Sequence, residues 1–264
     1  MKRSFYYLIF GIIFVLSIAA GKRPTTLFLA GDSTMADKTE IEVSPERGWG
    51  QLLPTYFKEN LVIENHAKNG RSTRSFITEG RWDYMMGRVQ KGDIVLIQFG
   101  HNDAKKEDKN RYADTTVYRY NLMRMVYEVR QKDATPVLVT PIVRREFDEN
   151  GVLINTHGDY PDVVRRLAKA LKVDMIDMHK ASMDMLTDLG AENSKELYMH
   201  VPAGLYEKYP NGKEDNTHLT EKGALEMGNL AVRLIAKKRI QPLKKYLRKS
   251  SDCQTTYTKP FATE

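Results

Sequence analysis

Short apolar runs alternate with longer amphipathic stretches along most of this chain. Residues 26–30 read as a strand that stops at Gly31, residues 49–56 as a helix, and residues 61–65 as a second strand. Between Asp93 and Gly100, the nearly continuous run Ile94-Val95-Leu96-Ile97-Gln98-Phe99 is the pattern of a strand covered on both faces, which puts it at the centre of a sheet. Residues 118–132 carry Leu122, Met125, Val126 and Val129 at helical spacing. They are followed by a strand at 136–142, a helix at 161–171 and a last strand at 173–178. Residues 221–238 set Ala224, Met227, Leu230, Ala231, Leu234 and Ile235 in one stripe, with Thr220 as N-cap and Lys237 and Lys238 in the last turn. Strands alternating with helices predict an α/β fold in which helices cover both faces of a central parallel sheet.

The N-terminus departs from this pattern. Lys2 and Arg3 precede an apolar run over residues 5–20 that ends in small residues, Ser17, Ala19, Ala20 and Gly21. That is the layout of a secretory signal peptide. An uncleaved anchor is the other reading, because the run approaches the roughly 20 residues that span a bilayer. No second apolar run of that length follows, so the expectation is an exported protein, periplasmic or secreted, without stable membrane insertion after cleavage. The expected organisation is a leader at 1–20, one domain at 21–241, and a tail at 242–264 that is packed or disordered.

Composition narrows the classes further. With 264 residues, 41% of them hydrophobic and 28% charged, the chain is long enough for one large globular domain. Its formal charge is +7, of which the leader carries Lys2 and Arg3. Basic residues are interspersed with acidic ones except near the C-terminus, from Lys237 to Lys249, so no nucleic-acid partner is required. That basic run reads as a solvated face and is compatible with an acidic polymer. Cys253 is the only cysteine, which excludes an intrachain disulfide. Nothing in the sequence signals an oligomeric state.

Candidate chemistry lies just beyond the strands. In an open parallel sheet, ligands bind outside the carboxyl ends of the strands. Ser33 follows the first strand, Gly70 the second and Asn102 the third, so residues far apart in the chain would meet at one rim. Ser33 supplies either a nucleophilic hydroxyl or a helix N-cap. Asp215 and His218, three residues apart before the last helix, suit a histidine base steadied by a carboxylate, although Asp-x-x-His is also common in loops. Gly70 N–H and the Asn102 side-chain amide are candidate oxyanion donors, each equally at home in a tight turn. Asp32, His101 and Asp103 are expected as supporting hydrogen-bond partners. There is no Gly-x-Ser-x-Gly elbow. His66, His157, His179 and His200 lack zinc-ligand spacing and no phosphate-cradling glycine loop occurs, so neither a metal nor another cofactor is expected.

Together these blocks resemble the SGNH (GDSL) hydrolase superfamily. Its name-giving residues correspond to Ser33, Gly70, Asn102 and His218, and its aspartate to Asp215. Within it, Thr140-Pro141-Ile142 to Arg144-Arg145, then Thr156-His157-Gly158-Asp159-Tyr160-Pro161, then Gly212-Lys213-Glu214-Asp215-Asn216-Thr217-His218 resemble the rhamnogalacturonan acetylesterase group. The resemblance spans about residues 26–238. It implies a flavodoxin-like three-layer α/β/α sandwich and a metal-free serine esterase that removes O-acetyl groups from pectic rhamnogalacturonan through an acetyl-serine. Ser33, Asp215 and His218 would be catalytic, and Ser33, Gly70 and Asn102 would form the oxyanion hole. The partner would be an acetylated polysaccharide or oligosaccharide. Lys68, Arg71, Arg74 and Arg81 cluster near Gly70, where they either pair with uronate carboxylates or form a solvated loop. Trp49 and Trp82 either stack on a sugar or belong to the core. Acetylxylan fits the same chemistry. A lipid esterase or thioesterase, and a carbohydrate-binding protein that has lost catalysis, are the competing readings.

Overall fold

Alternating side-chain direction along five short apolar strands accounts for the layers of this molecule. The computed structural model describes residues 23–249. The predicted leader and Cys253 lie outside the described residues. The elements in order are β1 (Thr25–Gly31), β2 (Glu46–Arg47), α1 (Trp49–Leu52), β3 (Leu61–Asn65), α2 (Thr73–Thr78), α3 (Arg81–Met86), β4 (Ile94–Gln98), α4 (Thr115–Gln131), β5 (Thr135–Val139), α5 (Tyr160–Leu171), β6 (Asp174–Ile176), α6 (Met178–Asn193), β7 (Leu219–Thr220) and α7 (Glu221–Lys238).

The main sheet has the order β3-β1-β4-β5-β6 and every pairing in it is parallel. β4 is buried along its whole length and central, as its unbroken apolar run predicts. Leu27, Leu29, Ile94, Leu96, Val137 and Val139 face α1, α6 and α7. The alternate residues Phe28, Ala30, Val95, Ile97 and Leu138 face α2 to α5. The result is the three-layer α/β/α sandwich. The chain leaves β1 for β3 on one side and returns to β4 on the other. The strand order therefore reverses at β1, where a ligand crevice is expected.

Several elements differ from the sequence reading. The helix expected over 49–56 is one α turn followed by a 3₁₀ turn, Leu53–Tyr56, because Pro54 has no N–H with which to continue the α ladder. The helices α2, α3 and α6 are additional to the elements that the sequence pattern predicts. A 3₁₀ turn at Leu243–Tyr246 buries Leu243 and Tyr246, and Arg248 Nε donates to Phe57 O, so packing continues past residue 241.

Candidate active site

Ser33 sits two residues beyond β1, in a turn held from below. Asp32 is fully buried, and its carboxylate accepts from Thr34 N–H at 3.0 Å, Thr34 Oγ1–H at 2.8 Å and His101 Nδ1 at 3.0 Å. Burial works to raise the Asp32 pKa but is outweighed by His101 and Thr34, leaving the carboxyl below its ordinary value. For His101, burial is the stronger influence and lowers its pKa. The pair is thus a carboxylate receiving a hydrogen bond from a neutral imidazole. Thr34 Oγ1 also accepts from Gln98 Nε2 at 2.8 Å, and Gln98 Oε1 accepts from Trp49 Nε1 at 3.0 Å. A buried polar chain therefore runs from α1 through β4 to the Ser33 turn. This turn presses so closely on the start of α1 that a Cβ at Gly48 would lie 2.2 Å from Ala36 O.

His218 arrives from the loop before β7. Its Nε2 lies 2.9 Å from Ser33 Oγ and its Nδ1 lies 2.8 Å from Asp215 Oδ2. Asp215 Oδ1 accepts from the backbone N–H groups of Thr217 and His218, at 2.8 and 3.0 Å. Partial burial of Asp215 opposes its ionisation, but the bonds from His218, side chain and backbone, hold its carboxyl well below the usual range. With Asp215 ionised and accepting, Nδ1 is the protonated nitrogen, and Nε2 is free to accept the Ser33 proton.

Gly70 and Asn102 line the same cleft as His218. Gly70 has φ +76°, a left-handed conformation that favours glycine. A Cβ there would lie 3.5 Å from Cζ and both Nη atoms of Arg111, so the guanidinium rests flat over this turn. Asn102 Nδ2 donates to Arg71 O at 3.1 Å, which fixes its amide and leaves the second N–H for another acceptor. Among the described residues, neither Ser33 N–H nor Gly70 N–H is hydrogen-bonded to an acceptor. Asp103, immediately below, accepts from Thr73 N–H and Oγ1–H, tying this loop to the start of α2. Burial pushes its pKa up to about 7.

The cleft around Ser33 has a volume of about 480 Å³. Besides the residues already described, Glu46, Lys105, Arg111, Arg144 and Lys213 line it. On the His218 side the charges are matched. Lys38 Nζ pairs with Glu46 at 3.0 Å and donates to Ser33 O and Asn69 Oδ1, while Lys213 Nζ lies 3.0 Å from Asp215 Oδ2. On the Asn102 side Arg144 has no such match. Arg144 donates to Thr156 and to His101 O, all neutral acceptors. Burial pulls its guanidinium below the ordinary value, offset only by the charge of Asp32. Arg111 is paired through Nε to Asp108 at 3.0 Å, with both Nη groups over Gly70.

The structure thus brings Ser33, Gly70, Asn102, Asp215 and His218 to one rim. It corrects the expected substrate contacts. Trp49 has no exposed surface and belongs to the core, as does Trp82, which is bonded to Glu128. Arg71 turns back onto Glu79 and Asn69 O, and Arg74 Nε donates to Tyr112 O, so both arginines brace their own loops and neither lines the cleft. The cations that do line it are Lys105, Arg111, Arg144 and Lys213, none of them among the expected contacts. Only Lys213 and Arg144 carry a local signal, as members of two of the three blocks that resemble the acetylesterase group.

Residues 29–224 match the model of the GDSL-like lipase/acylhydrolase family. The rhamnogalacturonan acetylesterase RhgT of Bacillus subtilis is 41% identical over 226 residues, covering 86% of this chain and 95% of that protein. The probable rhamnogalacturonan acetylesterase YesY of the same organism is 34% identical over 208 residues, 78% of this chain and 90% of that one. Among solved structures, the Bacillus subtilis protein YxiM superposes with a TM-score of 0.71 at 26% identity, covering 82% of this chain and 57% of that longer one.

Proposed function

The chain belongs to the GDSL-like lipase/acylhydrolase family, and from that premise we propose that it removes O-acetyl groups from pectic rhamnogalacturonan, with Ser33 as nucleophile. The carrying observation is the continuous hydrogen-bond chain Ser33 Oγ, His218, Asp215, which opens into a cleft with cations on its far wall. His218 Nε2 takes the Ser33 proton as Oγ attacks the acetyl carbon. The resulting oxyanion is bound by Ser33 N–H, Gly70 N–H and the spare Asn102 Nδ2–H. Collapse of the tetrahedral intermediate passes the proton from His218 to the departing sugar oxygen, leaving acetyl-Ser33. Water then gives a proton to His218 as its oxygen attacks the acetyl carbon, and collapse of this second intermediate breaks the bond to Oγ, returns the proton from His218 to Ser33 and releases acetate. Asp215 holds the tautomer throughout and offsets the charge of the imidazolium.

The substrate reading rests on the 41% identity to RhgT and on Arg144 and Arg111, which line the cleft, with no carboxylate paired to Arg144 among the described residues. A uronate carboxylate beside the acetylated position supplies the missing anion. We propose export as well, on the signal-peptide layout of residues 1–20; N-terminal sequencing of the protein recovered outside the cytoplasm tests it.

The deciding experiment is acetate release from acetylated rhamnogalacturonan, acetylated xylan and a long-chain ester, by the parent protein and by Ser33→Ala. Release from the pectic polymer, reduced by roughly 10⁴-fold or more in Ser33→Ala, is expected. Equal release by both proteins rules out Ser33 as the nucleophile. Preference for the long-chain ester replaces the glycan reading with a lipid esterase.

A further inference from the structure

Beside the cleft lies a second depression, a groove of about 530 Å³ whose walls include Asp37, Asn65, His66, Lys68, Arg81 and Tyr84. Its partition from the cleft is thin. Lys68 lines the groove while the next residue, Asn69, lines the cleft, and Lys38 Nζ bridges Asn69 Oδ1 and Ser33 O at 2.7 and 2.8 Å.

Tyr84, on α3, is 68% exposed although it belongs to a helix that buries Trp82, Met85 and Met86. Its ring stands 6.0 Å from the His66 ring at an interplanar angle of 56°, so the two rings form a corner. Tyr120 and Tyr127 are also exposed, but both lie on α4 and line neither cavity. Around the Tyr84 and His66 corner the polar groups are of both signs. Asp37 accepts from Asn65, and Arg81 is paired to Glu79 at 2.7 Å. The exposed Lys68 ammonium has no partner among the described residues.

An aromatic face with hydrogen-bonding groups of both kinds beside it is what a pyranose ring requires. The ring's C–H face packs against the negative face of the aromatic, and its hydroxyls take the polar contacts. A free ammonium adds a place for a carboxylate. We infer that this groove is an accessory sugar-binding subsite, which holds uronate-containing units of the glycan next to the unit whose acetyl group is at Ser33. The inference rests on the carbohydrate reading above. Binding energy gathered there, remote from the ester, orients the polymer and is unavailable to a small ester.

The test compares Tyr84→Ala and Tyr84→Phe with the parent enzyme on acetylated rhamnogalacturonan oligosaccharides and on 4-nitrophenyl acetate. Tyr84→Ala lowers kcat/KM on the oligosaccharides about tenfold, mainly through KM. It leaves 4-nitrophenyl acetate within about twofold, and Tyr84→Phe restores most of the loss because the ring, not the hydroxyl, is the platform. Equal losses on both substrates, or no loss on either, overturn the subsite. If the parent enzyme cleaves only 4-nitrophenyl acetate, the pectic reading fails instead. Calorimetric titration of Ser33→Ala, with and without Tyr84→Ala, against deacetylated rhamnogalacturonan oligosaccharides then decides the groove. Heat lost with Tyr84→Ala supports the subsite, and no difference overturns it.

Discussion

At Asp215 a single oxygen serves two neighbours: Oδ2 accepts from His218 Nδ1 and lies 3.0 Å from Lys213 Nζ. The ammonium draws on the same negative charge that stabilises the imidazolium formed during catalysis. Lys213→Met removes this competition and leaves the full carboxylate charge to the imidazole, so kcat/KM on 4-nitrophenyl acetate at about pH 8 should change less than about threefold. A loss of about a hundredfold would show that Lys213 is needed to position Asp215. Ser33, Gly70, Asn102, Asp215 and His218 were legible in the sequence because each carries a local mark, a strand end or a short spacing. Lys38, Glu46, Lys105 and Arg111 carry none. Their positions depend on contacts between segments far apart in the chain, such as Arg111 over Gly70, which no local pattern encodes.

Helices were legible where an apolar stripe marks them. The long α4 and α7 show their apolar stripes, whereas α2 has only six residues and starts on a reciprocal Ser72–Ser75 cap without acidic residues. The helix α6 contains Gly190 at φ 73°, ψ 176°, a non-helical residue that interrupts its period. Trp49 shows how an aromatic misleads when its element is short. On the one-turn helix α1 it donates into the chain through Gln98 and Thr34 to Asp32, and so supports the Ser33 turn without meeting a substrate. Trp49→Phe leaves Gln98 Oε1 buried without its donor, at a cost of about 1–3 kcal/mol of stability. Denaturant unfolding should show that loss, while KM on the acetylated oligosaccharides stays within about twofold. A KM raised tenfold with stability unchanged would return Trp49 to the sugar site.

For the molecule as a whole, pH and salt act through separate groups. An aspartate in the unfolded chain ionises near 3.8, and Asp103 in the fold near 7, so between those values the native state holds a proton that the unfolded chain has lost. Raising the pH through that window therefore removes stability, about 4 kcal/mol in all by pH 8. Asp103→Asn cannot titrate. Its unfolding free energy should fall less than the parent's between pH 4.5 and 8, and parallel curves would mean that Asp103 does not ionise in that range. Salt instead addresses the cleft. Lys38 and Lys213 are matched by Glu46 and Asp215, but Lys105 and Arg144 face the cleft without a carboxylate partner among the described residues, on a chain of net charge +7. A polyanionic glycan should be drawn to that wall over a distance that salt shortens. Raising the salt from about 20 mM to about 500 mM should lower kcat/KM on acetylated rhamnogalacturonan about tenfold and leave 4-nitrophenyl acetate within about twofold. A common decline on both substrates would place the effect in the chemistry or the fold, and a flat response on the polymer would remove the carboxylate from the role assigned to Arg144.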